Sequence, residues 1–225
     1  VTVTSNLTVA SGGTITANDQ GFGAGQGPQP GRPAGIGASG NGAGHGGEGG
    51  LSNHPCCQVR AIAYGDALLP LAMGSGGGNT SGGGAIKLVV TGTFTNDGTV
   101  SANASDGQWG QFGSSGAGAG GSIWIEAGTL AGAGVIQANG GNASNTYGAA
   151  GGGSGGRIAV DVANVSFSGA VTAYGGASFS PVGQEWITDT VASGGPGTIY
   201  WTQTDRLVVD NNGMRTQAEA GLMEA

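Results

Sequence analysis

The strongest constraint on this chain is a unit that returns every 35 to 37 residues. GGGAIKLVVTGTFTNDGTVSANASDG, beginning at Gly82, comes back as GGSIWIEAGTLAGAGVIQANGGNAS from Gly120 and as GGRIAVDVANVSFSGAVTAYGGAS from Gly155. Each copy runs from a glycine tract into an alternating apolar strand, a short turn, a second strand and an Ala-Asn or Ala-Tyr pair. Ile86, Ile123 and Ile158 are spaced by 37 and 35 residues, and Val100, Ile136 and Val171 by 36 and 35. Partial copies stand at both ends, Leu7 to Asn18 for the second half of the unit and Gly194 to Trp201 for the first. Period-two alternation marks strands with one buried face. Short strands repeating at this interval, with no helical periodicity before Met214, predict stacked supersecondary units. The expected fold is all-β, a right-handed parallel β-helix (β-solenoid). A β-sandwich is the rival architecture.

Glycine supplies 53 of the 225 residues, a proportion usually associated with flexible or disordered chains. Here the tracts enter the strands at one register, so they belong to the repeat. Extended glycine strands in a polyproline II conformation make no internal hydrogen bonds and can approach one another closely. The tracts are therefore expected to bundle side by side, polyglycine II-like, as a second layer beside the apolar core. Residues 1–213 then form one glycine-rich domain with a long insertion at 19–84, and 214–225 form a short helical cap or linker.

Charge excludes several functions. Six Lys and Arg against 13 Asp and Glu give a net charge of -7, which argues against a nucleic-acid partner. No apolar run approaches the ~20 residues of a membrane span, so no membrane insertion is expected. Val1 follows no charged-then-apolar leader, so the chain reads as a mature product or a fragment.

The order of these motifs, a glycine tract, GGxIxI or GGRIAV, SGxVxAxGG, and finally GGPGTIYW followed by LVVDNNG at Leu207 to Gly213, resembles the glycine-rich β-helix regions of very large bacterial cell-surface and extracellular proteins, which lie beside adhesin-like modules. Similar units occur in plant glycine-rich surface proteins. The resemblance implies an extracellular or cell-surface structural or adhesive role and no transferable catalytic residues.

Candidate sites are few. His45, Glu48 and His54, beside Cys56 and Cys57, could offer nitrogen, oxygen and sulfur to Zn²⁺ or Cu, but their spacing fits no common zinc pattern, so neither metal nor cofactor is expected. The adjacent pair Cys56 and Cys57 allows a vicinal disulfide, two free thiols or bridges to another chain; the vicinal disulfide leads in an oxidising setting. Trp109, Phe112, Tyr147, Phe179 and Trp186 fall in the segments between repeats, where they either stack on sugar rings or cap the core. Glycoside hydrolysis needs two carboxylates about 5 to 9 Å apart. Asp97 and Asp106 flank the second strand of one repeat and Asp205 and Asp210 sit in the last, and neither pair sits in a signature. A polysaccharide lyase would need a base, yet Lys87 is the only lysine and the arginines Arg32, Arg60, Arg157, Arg206 and Arg215 are dispersed. The sequence thus predicts a non-enzymatic, rigid module or fibre subunit, its partners a cell-surface glycan or further copies joined head to tail into a filament. A polysaccharide lyase or hydrolase on the same scaffold is the alternative.

Overall fold

A computed structural model describes residues 1–32, 38–55, 57, 59–110, 113–144, 149–182, 185–188 and 190–221. The strands run in chain order β1 Thr2–Val3, β2 Leu7–Val9, β3 Thr14–Thr16, β4 Ala38–Ser39, β5 Ala85–Asn96, β6 Thr99–Ser101, β7 Trp109–Gly110, β8 Gly113–Ser114, β9 Ser122–Gly132, β10 Val135–Gln137, β11 Arg157–Phe167, β12 Ala170–Thr172, β13 Phe179–Val182, β14 Glu185–Thr188, β15 Thr198–Trp201 and β16 Arg206–Val208. A seven-stranded sheet has β5, β9, β11 and β15 side by side in parallel, with β1 and β2 on β5 and β16 antiparallel on β15. A four-stranded parallel sheet follows the order β12, β10, β6, β3.

Register turns the repeat into rows of like side chains. Ile86, Ile123, Ile158 and Ile199 are successive cross-strand partners, as are Leu88, Ile125 and Val160. Across the core they meet Val100 and Ile136 from the smaller sheet. Ile123, Ile125, Ile136 and Ile158 are fully buried, each worth about 1.5–3 kcal/mol relative to exposure. The unequal spacings have a local cause. Residues of β5 pair with β9 at an offset of 37 through Val90 and of 36 from Thr93, and the slip is a β-bulge at Thr91 and Gly92. Asn6 heals it, accepting from the amide of Thr93 at 2.8 Å, as an extra unpaired residue in a ladder requires.

The expected all-β parallel β-helix is not what forms. Among the described residues the only helix is the 3-10 turn Thr202–Thr204, and the sheets are mixed, mostly parallel and open. Three features stop a solenoid from closing. Strand β16 reverses direction on β15 and ends the parallel ladder. The pairs β13–β14 and β7–β8 are antiparallel hairpins. Between β3 and β5 the described residues contribute only the two-residue β4. The pairing is α/β-like, parallel strands joined by crossovers, with glycine-rich coil where helices would ordinarily run. With the solenoid goes the structural basis for a filament, and the fold carries no evidence of adhesion or of an extracellular setting.

The coil is packed. The consecutive amides of Gly151, Gly152 and Gly153 donate to three different segments, at Gly40 (2.8 Å), Ala192 (2.8 Å) and Gly141 (3.0 Å). Such a fan is what an extended chain with about three residues per turn presents. Gly118 and Gly153 show why the residue must be glycine: a Cβ on Gly153 would overlap the carbonyl oxygen of Gly118. Residues 214–221 contain no helix; Ala220 forms an antiparallel bridge with Gly47.

Candidate functional site

The outward positions of the large sheet are covered at the entrances of β9, β11 and β15 and more open further along, while Ala85 at the start of β5 is exposed. Ala85, Ser122, Arg157 and Thr198 form the first row. The insertion folds over it: Ser122 Oγ donates to the carbonyl of Ala72 at 2.6 Å, and Arg157 Nε to that of Tyr64 at 2.9 Å. Arg157 Nη1 reaches Thr198 Oγ1 and the carbonyl of Gly221, both at 3.1 Å. At 1% exposure, Arg157 has no ion-pair partner among the described residues. A buried cation held by carbonyls clamps every segment that supplies one, here the insertion and the C-terminal stretch.

His45 completes this cluster. Its ring is fully buried, with Nδ1 2.6 Å from the carbonyl of Gly120. A carbonyl can only accept, so Nδ1 carries the proton and Nε2 is a bare acceptor, without a partner among the described residues. Burial, aided by the Arg157 charge and opposed by the Gly120 carbonyl, pushes His45 down to about 4. The Tyr64 ring lies 4.8 Å from it, centroid to centroid, and burial pushes the phenol up to about 12. Burial also brings Arg157 down to about 10, against the favourable charge of Asp66. At neutral pH the cluster is one fixed cation, a neutral imidazole and a neutral phenol, an arrangement suited to locking and sealed from substrate.

The next rows are more open. Lys87, Trp124, Ala159 and Tyr200 are cross-strand partners, with Lys87 Nζ 3.4 Å from the Trp124 ring centroid, a cation–π contact. Beyond them Glu126 and Asp161 face each other on β9 and β11, their backbones about 4.8 Å apart as neighbouring strands are. Thr202 Oγ1 donates to Asp161 at 2.8 Å, and the Tyr200 hydroxyl to Asp205 at 2.8 Å.

The residues singled out by sequence do not gather. Glu48 pairs with Arg60 at 3.7 Å and accepts from the amide of Glu219, His45 is sealed against Gly120, and the amide of His54 donates to Ser52 Oγ. Among the described residues no three His, Cys, Asp or Glu side chains come together as a metal site. Cys57 is buried and disulfide-bonded, and Cys56 lies outside the described residues. Phe112 and Tyr147 also lie outside them. Trp109, Phe179 and Trp186 are placed on β7, β13 and β14, with their side chains outside the description. Asp97, Asp106 and Asp210 each accept a nearby backbone amide, from Ala133, Asn142 and Asn212, which is turn and ladder work.

The chain matches no known protein family, no curated protein and no solved structure. Geometry alone therefore carries the functional reading. Sequence reasoning missed Tyr64 and the pairing of Glu126 with Asp161. It dismissed Arg157 as dispersed, although the register offered a signal: Arg157 stands where the other copies have Ala85 and Ser122.

Proposed function

We propose that this chain is a non-catalytic, rigid structural module that works outside the cell and presents a surface for contact with glycans. The observation that carries the reading is the hydrogen-bonded glycine layer, in which Gly151, Gly152 and Gly153 tie three separate segments to one extended stretch of coil. A backbone bonded in several directions holds its loops in fixed positions at little cost in charge or bulk, which suits display better than turnover. The disulfide at Cys57 favours an oxidising compartment, and a net charge of -7 disfavours nucleic acid. No helix among the described residues is long and apolar enough to cross a membrane. The resemblance to glycine-rich surface proteins points the same way.

A glycan array on the purified chain tests this. Retention of defined saccharides without their degradation is the expected result; an array with nothing bound removes the glycan role. One observation favours a polysaccharide-acting enzyme as the second reading, the facing carboxylates Glu126 and Asp161. Asp161 is held by Thr202 and the pair sits on an open face, an arrangement that favours binding. Release of reducing ends from a polysaccharide by the native chain, lost in Glu126→Gln, would establish the enzyme instead.

A further inference from the structure

We infer that a cavity of about 190 Å³ where the start of the insertion meets residues 59–61 is a subsite for a carboxylate-bearing sugar residue, a uronate. The inference rests on the glycan-contacting role proposed above and names the sugar class. Two of the chain's six cationic side chains, Arg32 and Arg60, line this one cavity, a concentration of positive charge on an otherwise acidic molecule.

The two arginines play different parts. Arg60 is pinned: Nη1 donates to the carbonyl of Gly49 at 3.0 Å, Nη2 to that of Val191 at 3.2 Å, and Nε lies 3.7 Å from the Glu48 carboxylate. Arg32 is exposed, and among the described residues it has no ion pair, so its charge is available to a ligand.

The neighbouring amides are oriented as donors. Gln29 Oε1 accepts from the amide of Ile62 at 3.2 Å; that amide can only donate, so Nε2 faces the other way, and among the described residues it has no acceptor and is open to a ligand. Asn41 Oδ1 is likewise spent on the amide of Ser52, and its Nδ2 already donates to the carbonyl of Val59 at 2.7 Å while retaining a second hydrogen. The side chains that line the cavity therefore present donors, which selects an anion, and the glycan role proposed above makes that anion a sugar acid.

Shape narrows the class. Pro30, Val59 and Ala61 supply apolar wall, suited to the C–H face of a pyranose. The volume is below the 300–1,000 Å³ of ordinary ligand pockets, room for one ring. The planar guanidinium of Arg32 matches a carboxylate in two-point geometry.

Calorimetric titration of the purified chain at low salt with D-galacturonate, D-galactose and N-acetylglycine tests the assignment. Galacturonate is expected to bind at least about tenfold more tightly than either of the others, and Arg32→Gln, an exposed change, to weaken it about tenfold, as loss of one charge-assisted contact implies. Equal binding of galactose would show a cavity indifferent to charge, and equal binding of N-acetylglycine would show a carboxylate site of peptide type; either overturns the proposal, as does an unaltered Arg32→Gln. If Arg32→Gln keeps its neutral ligands on the array while no uronate binds the native chain, the glycan role stands and this subsite is wrong.

Discussion

Gly153 rests its Cα against the carbonyl of Gly118, with no room between the two segments for a methyl group. Replacing Gly153 with Ala must push two hydrogen-bonded backbones apart. Overpacking of this kind costs about 1–3 kcal/mol or more. Gly23, where an added Cβ would find its nearest neighbour at 3.7 Å, is the control: Gly23→Ala is expected to stay within about 0.5 kcal/mol. Urea denaturation of both variants checks the difference, and equal midpoints would contradict it.

Stability is expected to fall on acidification through His45. The ring is held at about 4 in the folded chain, below its ordinary 6.5. Between those values the unfolded chain binds a proton that the folded chain does not. The stability His45 confers is therefore complete above pH 6.5 and is lost as pH falls toward 4. A displacement of this size corresponds to about 3 kcal/mol. Denaturation at pH 7 and pH 4 should show a smaller loss for His45→Gln, whose amide still donates to Gly120. Identical pH dependence in the two proteins would place the acid sensitivity elsewhere.

Arg157→Met removes the donors to Tyr64, Thr198 and Gly221 together. Leaving these acceptors, two carbonyls and one hydroxyl, unpaired costs about 1–3 kcal/mol each, so a loss of at least about 3 kcal/mol is expected. Arg157→Lys should recover little, because an ammonium cannot span the same fork of acceptors. Limited proteolysis adds a local readout: cleavage within residues 60–73 should appear first in both variants. An uncut segment in Arg157→Met would show that the clamp is elsewhere.

A ladder of asparagines links the units. Asn103 takes its amide bond from Asn18 Oδ1, Asn139 from Asn103 Oδ1, and Tyr174 from Asn139 Oδ1, each at 2.8 Å. Asn139→Ala strands the amide of Tyr174 and is expected to cost about 1–3 kcal/mol, whereas Asn139→Asp keeps an acceptor and should cost less. Thermal melting that ranks the two in the opposite order would rule out the ladder as the reason for asparagine here.

Much of this was legible because period and burial coincide. The spacings of Ile86, Ile123 and Ile158 gave the parallel register directly, and the Ala-Asn pairs marked the ladder at Asn103 and Asn139. Their mismatch, 37 against 36, held the bulge at Gly92 as well. The overall architecture was not legible, because direction reversal at β16 and the short hairpins depend on turns whose residues also suit a continuing parallel coil. The buried cluster that locks the insertion was hidden for another reason: His45, Tyr64 and Arg157 stand far apart in sequence and meet only because an insertion with no periodicity of its own folds back over the strand entrances. His45 drew attention as a metal ligand, yet its environment is a carbonyl and a guanidinium.

Native-state hydrogen exchange at Gly151, Gly152 and Gly153 tests the central claim most directly, that side-chain-free coil is interior. Protection equal to that of the β9 and β11 amides, released only by global unfolding, is the predicted result. Exchange at the rate of an unstructured peptide would contradict it.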